Sequence, residues 1–256
     1  MKRISDYSEI SEAVARHFGR TTVTNCFIDR EIYEREIKAG TLYTVENDDG
    51  LYIFRQRDGF SVMYFYLDSP DASVPDFEGC TVTEVPYRER DEGLKAISAR
   101  MQENGLEKAF TRVRLQNVAE PFEFSNDKIS AATVYDTEEA LRLIRKSFDN
   151  RTGCIPTVDA FRADIENGHV LVYRDGGIKG LVHFNVDKAS STIRHVAVEE
   201  SCRGEGIASL LVRAYLSDKK GRCRVWARED YNAARRVYEK NGYMPDGMKS
   251  DVLIKN

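Results

Sequence analysis

The chain has 256 residues, 41% of them hydrophobic and 31% charged, with a formal net charge of −4. This composition describes a folded globular protein long enough for two domains of ordinary size, and it excludes a disordered or membrane-embedded chain. No run approaches the ~18 apolar residues of a spanning helix, and the opening MKRISDYSEISEAV lacks the apolar segment of a signal peptide. The acidic balance argues against a nucleic-acid partner. The cysteines Cys26, Cys80, Cys154, Cys202 and Cys223 are widely spread, with no Cys-x-x-Cys pair and no histidine cluster near one. No metal site and no disulfide framework are therefore expected, and a reducing cytoplasm is the expected compartment.

In the first half, Ser8 to Phe18 and Asp29 to Lys38 have helical spacing, closed by Gly19 and Gly40. "TLYTVEN", "GLYIFRQRD" and "FSVMYFYLD" follow as strands. Asp91 to Asn104 is the next helix, with Leu94, Ile97 and Met101 on one face, and "FTRVRLQNV" a strand after it. The acidic and polar stretch "NVAEPFEFSNDK" then separates two α/β halves, which places the domains at 1–125 and 126–256.

The second half repeats the rhythm. "ISAATVYD" leads into a helix for which Asp136 and Glu139 form a capping box and Leu141, Ile144 and Phe148 an apolar stripe. Thr157 to Asn167 makes another helix, stopped by Gly168. "HVLVYRD", "IKGLVHFNVD" and "STIRHVAVEE" read as three strands of an antiparallel meander joined by short turns. Matching "IKAGTLYTVENDDG" with "IENGHVLVYRDGG" suggests a duplicated fold, each copy a mixed, mainly antiparallel twisted sheet flanked by helices (α/β, α+β).

The chemistry is concentrated in "VEESCRGEGIASLLVRAY", where two glycines and an arginine lie between a strand and a helix. A nucleoside triphosphate loop needs a lysine followed by Ser or Thr, which is missing. A dinucleotide fingerprint needs a third glycine, where Ser209 stands, and a parallel sheet. Arg-x-x-Gly-x-Ala is met in full by Arg203, Gly206 and Ala208. Such a turn aims successive backbone N–H groups and a helix N-terminus into one concavity, which suits a phosphate. Ile207, Leu210, Leu211, Ala214 and Tyr215 give that helix its apolar face. The strand "RCRVWARE" follows, with Trp226 as a core aromatic, and then "DYNAARRVYEKNGY", a helix capped by Asn232 and ended by Gly242.

Strand, Arg-Gly-x-Gly loop, helix, strand, and an Asn-started helix with Tyr before Gly-Tyr: over residues 129–256 this order resembles the GNAT superfamily of acyl-CoA-dependent N-acyltransferases. The chain then resembles two tandem GNAT-like domains, the first degenerate. Its segment "SPDASVPDFEGC" has no Arg-x-x-Gly-x-Ala, so no second pyrophosphate site is expected there. The resemblance implies that Arg203, Gly204, Glu205, Gly206, Ile207 and Ala208 bind the coenzyme A pyrophosphate. It implies that Val196, Ala197 and Val198 meet the pantetheine arm and thioester through their main chain, on a strand that splays from its neighbour. Asn232 is implied as a further contact to the pantetheine arm, Tyr238 as proton donor to the departing thiolate, and "RTGCIPT" as a lining of the acceptor pocket.

The general base stays open. His195 has the right pKa range, but strand alternation puts it opposite Val196 and Val198, with Thr192 and Arg194 on the valines' side. Glu199 and Glu200 stand at the mouth of the loop, and Cys202 reads as a small filler. The resemblance implies an N-acetyltransferase that moves an acetyl group from acetyl-CoA to a primary amine, small-molecule or peptide, in a ternary complex. A coenzyme A-binding sensor or scaffold without turnover is the alternative. Transfer from a charged tRNA on a doubled fold is disfavoured by the net negative charge.

Overall fold

A computed structural model describes residues 1–88, 91–187 and 190–256. The turn expected between "IKGLVHFNVD" and "STIRHVAVEE" includes positions outside the described residues. In chain order the elements are β1 (Lys2–Arg3), α1 (Tyr7–His17), β2 (Val23–Thr24), α2 (Arg30–Ala39), β3 (Leu42–Asn47), β4 (Gly50–Arg57), β5 (Phe60–Leu67), β6 (Thr81–Arg88), α3 (Glu92–Glu103) and β7 (Glu107–Ala119). They continue with β8 (Ile129–Ala131), α4 (Thr137–Ser147), α5 (Val158–Glu166), β9 (Val170–Arg174), β10 (Ile178–Asp187), β11 (Ser190–Val198), α6 (Ile207–Ser217), β12 (Gly221–Arg228), α7 (Asn232–Lys240) and β13 (Met244–Lys255). One compact unit comprises Met1–Arg112 with Met248–Asn256, the other Val113–Gly247. The sequence expectation was a single cut at 125/126; the end of the chain instead returns to the first unit.

In the first unit, β1, β3, β4 and β5 form an antiparallel run, β6 joins β5 in parallel, and β13 pairs antiparallel with β6 from Met248↔Arg88 to Lys255↔Thr81. Asp251 fixes that last strand: its carboxylate accepts from Ser98 Oγ at 2.8 Å and Thr111 Oγ1 at 2.8 Å and pairs with Lys108. Tyr52, Phe54, Phe65, Ile97 and Met101 fill the core beneath α3, and Ile10, Tyr33, Leu42 and Ile53 the core beneath α1 and α2. The crossover from β5 to β6 carries no helix. Its coil is held by Ser73, whose carbonyl accepts from Tyr52 Oη, and by burial of Ala72 and Phe77.

The second unit has the strand order β7-β12-β11-β10-β9-β8, antiparallel from β8 to β11 and parallel between β11 and β12. Ala140, Leu141, Ile144, Phe161 and Ile165 of α4 and α5 cover one face of its sheet, and Ile207, Leu211, Val212, Tyr215 and Tyr238 of α6 and α7 pack in a separate cluster. Both units therefore run helix pair, three antiparallel strands, crossover to a parallel strand, and helix. In the second the crossover contains α6. This is the duplication read from the sequence.

Three local expectations are corrected. Helix α1 ends on Phe18 in extended backbone, so Gly19 is not a left-handed stop. The capping box pairs Thr133 with Asp136, and Glu139 instead accepts from the Ile178 amide at 3.0 Å. Asn232 opens α7 as its first residue, after Tyr231 and without a side-chain cap bond.

Glu36 is buried on α2 with Arg55 and Arg57 around it, at 2.6 and 2.9 Å. Burial alone would raise its pKa, but hydrogen bonds from Arg57, Thr41 and Arg55 outweigh it and hold the carboxyl at about 2. A carboxyl depressed in the folded state contributes stability above its ordinary pKa and loses it as pH falls towards the folded value. Removing the charge leaves two arginines without their counter-ion. Glu36→Gln should lower unfolding free energy by about 3 kcal/mol at neutral pH in urea titrations. It should also flatten the loss of stability from about pH 5 to about pH 2.

Candidate active site

The site is built where β11 leaves β12. Their parallel pairing runs from Ser190↔Arg222 to Ile193↔Val225, while β11 stays paired with β10 up to Val198↔Gly180. The β10–β11 register shifts between His183↔His195 and Phe184↔Ile193, leaving Arg194 as the extra residue of a β-bulge. Beyond the bulge, Arg194 to Val198 lie past the end of the β12 ladder. This is the splayed strand the resemblance implied.

The bulge also resets which side chain faces which helix. Ile193, Val196 and Val198 pack with the α6 cluster, whereas Ala197 packs with the α4–α5 cluster. His195 faces Phe148 and so lies opposite the two valines, as alternation predicts. The expectation that Thr192 shares the valines' side fails, because the extra residue inverts the parity. Ile193 takes that side instead, and the register pairs Thr192 with Arg224.

After β11 the Glu199 amide bonds to the Lys179 carbonyl, a short 3-10 turn covers Glu200–Cys202, and Arg203 is extended. Gly204 and Gly206 have φ of +87° and +83°, and a Cβ at either would meet nothing within 4 Å. The glycines are thus required by backbone conformation, with open space over both. Helix α6 starts without a side-chain cap, and its first backbone bond runs from the Leu210 N–H to the Gly206 carbonyl at 3.1 Å. The N–H groups of Ile207, Ala208 and Ser209 precede that ladder and are the helix's free donors. Arg203, Gly204, Glu205 and Gly206 are all exposed, so the loop opens to solvent.

Gly180, which the sequence reading missed, sets the position of α6. A Cβ there would lie 2.9 Å from Ile207 Cγ2, 3.0 Å from Leu211 Cδ1 and 3.2 Å from the Ala197 carbonyl. The helix rests on bare strand backbone beside the splayed residues. The buried residues of α6 are Ile207, Leu211, Val212, Tyr215 and Leu216, a stripe shifted from the expected one, with Leu210 and Ala214 only half-buried. Asn241 at the end of α7 donates to Ser209 Oγ at 3.0 Å, tying α7 to the first turn of α6.

Tyr238 is buried in the cluster under α6 and α7, its ring edge-on to Tyr243 at 5.7 Å. Burial raises its pKa, so the phenol stays protonated across the neutral range. Two residues considered as bases are otherwise engaged. His195 is 1% exposed, and its ring nitrogens meet His183 Nδ1 at 3.0 Å and the Gly153 carbonyl at 2.8 Å. Glu199 bonds Lys146 at 3.1 Å, which chiefly holds its pKa below the usual carboxylate range. Cys202 lies near Ser201 and packs as a half-buried filler. Trp226, half-buried, lies under the Arg114 guanidinium. Among the described residues no cluster of three or more His, Cys, Asp or Glu side chains is arranged as a metal site. No helix among the described residues is long and apolar enough to cross a membrane.

A splayed parallel strand pair followed by an uncapped helix at a glycine turn is the arrangement the resemblance implied. Residues 166–245, all within the second unit, match the family model described as "Acetyltransferase (GNAT) domain". The GCN5-related N-acetyltransferase from Sphaerobacter thermophilus is similar in fold, with 12% identity and TM-score 0.57 over 90% of this chain and 86% of that one. A GNAT-family acetyltransferase from Colwellia psychrerythraea aligns over 99% of this chain and 98% of its own, with 12% identity and TM-score 0.59. A glucosamine N-acetyltransferase region of a fungal multi-domain GH3 β-N-acetylglucosaminidase aligns over 80% of this chain and 31% of that one, with 14% identity and TM-score 0.57. Likeness at these identities is likeness of fold, and it spans both tandem units. No curated protein sequence matches the chain.

The close seat of α6 yields a direct test. Gly180→Ala should force the helix off the strand and destabilise the protein by about 1–3 kcal/mol in thermal or urea unfolding. Gly176→Ala, whose Cβ would meet nothing within 4 Å but whose φ is +64°, serves as a control for backbone strain alone.

Proposed function

We propose that the protein is an N-acetyltransferase that moves the acetyl group of acetyl-CoA to a primary amine by direct attack in a ternary complex. The observation that carries this reading is the uncapped α6 terminus beside a strand whose edge is open from Arg194 to Val198. The amides of Gly204 to Ala208 suit the two charges of a pyrophosphate, with Arg203 opening the loop on an amide bonded to the Glu200 carbonyl. The open space over Gly204 and Gly206 lets phosphate oxygens reach the backbone. Acetyl-CoA supplies the acyl thioester. Val196, Ala197 and Val198 offer main-chain groups to its amide-bearing arm and to the carbonyl oxygen, and Asn232 is a further contact.

Tyr238 acts as the acid. Its raised pKa keeps the proton on the phenol, which donates a hydrogen bond to the sulfur as negative charge develops on the departing thiolate, the less basic of the two partners. Holding thioester and amine side by side supplies the larger share of the acceleration. The acceptor is an amine on a small molecule or peptide, with neither nucleic acid nor membrane as partner. The five cysteines are free, in keeping with a cytoplasmic protein.

Isothermal titration with acetyl-CoA should give binding that Gly206→Glu abolishes, because a carboxylate would occupy the anion cradle. Tyr238→Phe should retain that binding while lowering kcat about 100-fold in an assay of thiol release with an amine panel. Binding without turnover on any amine would favour a coenzyme A-dependent sensor instead. No binding by the wild type at millimolar acetyl-CoA would overturn the assignment of the loop.

A further inference from the structure

A chain of four groups crosses the α4–α5 face of the sheet: Asp164 of α5, His183 of β10, His195 of β11 and Gly153 of the loop joining α4 to α5. Asp164 Oδ2 lies 2.9 Å from His183 Nε2, His183 Nδ1 lies 3.0 Å from His195 Nδ1, and His195 Nε2 lies 2.8 Å from the Gly153 carbonyl oxygen. The two histidines are direct cross-strand partners at the β-bulge, with rings nearly coplanar at 10°, and are 2% and 1% exposed.

Each of the three gaps needs one proton. A carbonyl only accepts, so His195 Nε2 must carry hydrogen. His195 Nδ1 then accepts from His183 Nδ1–H, and His183 must also donate from Nε2 to the carboxylate. Two neutral imidazoles hold two protons, so the complete chain needs a third. Without it, two hydrogen-bond acceptors face each other across one gap. The Asp164 carboxylate keeps the His183 Nε2–H through a charge-assisted bond, and the sheet holds the two rings together. His195 therefore takes the Nδ1–H tautomer, and the gap falls at the Gly153 carbonyl, on the loop that can move away.

We propose that Asp164, His183 and His195 form a proton-operated latch on the α4–α5 loop: a single added proton completes the chain to the Gly153 carbonyl, and its loss opens one link. The loop is built to respond. Gly153 donates to the Asp149 carbonyl at 2.8 Å, and the amides of Arg151 and Thr152 donate to Asp149 Oδ1. A Cβ on Gly153 would come within 2.6 Å of the Asp149 carbonyl and 2.7 Å of Phe148 Cβ, so the turn has little room to rearrange while latched. Cys154 next to it holds φ at +51°, an uncommon conformation for a residue with a Cβ.

The surroundings of the pair set where it titrates. Phe148 from the end of α4 and Phe161 from α5 pack edge-on against the two rings. The charged or titratable groups facing it are Asp164 from α5, His169 before β9, 4.0 Å from Asp164, and Arg194 on β11. Burial, the largest influence, lowers the His183 pKa, and Arg194 and His169 act in the same direction against the pull of Asp164. Completion of the chain is therefore expected below the ordinary imidazole value of about 6.5. The latch is closed at mildly acid pH and opens as pH rises.

The test is peptide-resolved amide hydrogen exchange over 149–157 in the full chain, corrected for intrinsic exchange chemistry, together with ring-nitrogen spectra of the histidines. Wild-type loop amides should exchange about tenfold more slowly at about pH 5 than at about pH 7.5, with one added ring proton on the pair at the lower pH. Asp164→Asn is the discriminating variant, because its amide N–H can donate to His183 Nε2. Two neutral rings then suffice, and the loop should stay protected at both pH values. His195→Ala should leave it fast at both. Equal corrected exchange in the wild type at the two pH values, no added ring proton, or an undiminished pH response in Asp164→Asn would each overturn the latch. None of these readouts depends on acyl transfer, so the latch and the transferase assignment can fail separately.

Discussion

The second unit depends on β11 giving up β12 after Ile193. Backbone N–H and C=O groups inside a sheet are normally paired, and leaving them open costs free energy unless water or a ligand takes them. The chain stabilises this opening from both sides. The bulge at Arg194 bends the strand away while β10 keeps its other edge paired through Val198. Gly180 on β10 lets α6 settle directly against the splayed segment, so the open edge and the open helix terminus share one rigid support. Neither feature alone makes a site; their common footing does.

The first unit has the same topology and the same parting of strands, but the gap is plugged. There β5 pairs with β6 only as far as Met63↔Thr83 while staying paired with β4 through Leu67. On the edge it vacates, Val23 and Thr24 of β2 pair with Leu67 and Tyr66, and Asn25 Oδ1 accepts from the Phe65 amide. The unit's crossover from the third antiparallel strand to the parallel strand is a coil of polar anchors and buried side chains, with Arg100 reaching Asp71 at 3.0 Å and the Phe54 ring tilted against Phe77 with centroids 5.2 Å apart. Where the second unit keeps free amides and bare glycines, the first has filled the space with its own side chains. A helix terminus is an anion site only when the helix exists and nothing caps it. The first unit fails the first condition, and α6 meets both.

Much of this was legible in the sequence, because glycines and helix periodicity are local signals. Gly40, Gly168 and Gly242 take positive φ as helix stops, and Gly204 and Gly206 take it in the loop. The strands of the meander follow from alternation. The bulge was not legible, since one extra residue changes neither composition nor local pattern, yet it inverts the side of Thr192 and Ile193. Gly180 reads as an ordinary strand glycine until the partner helix is known. The return of Met248–Lys255 to β6 was equally hidden, because its fixing residue Asp251 finds Ser98 and Thr111 only through the fold. Asp136 carried the correct signal for a cap but with the wrong partner. Arg174 chiefly holds its pKa at about 2 through two hydrogen bonds, so this carboxylate joins β9 to the start of α4 rather than the first turn to itself.

The histidine pair explains why polar groups occupy a position where aliphatic side chains would pack at lower cost. A bulge can slide along a strand if both faces are uniformly apolar, because each register buries similar area. Facing imidazoles at 3.0 Å tolerate no slip, since a one-residue shift would strand two ring nitrogens and the Gly153 carbonyl in an apolar interior. Each unpartnered group would cost about 1–3 kcal/mol. The pair therefore fixes the register at the very residue where β11 turns away from β12. The same side chains that take His195 out of contention as a base hold open the strand on which acyl transfer would depend.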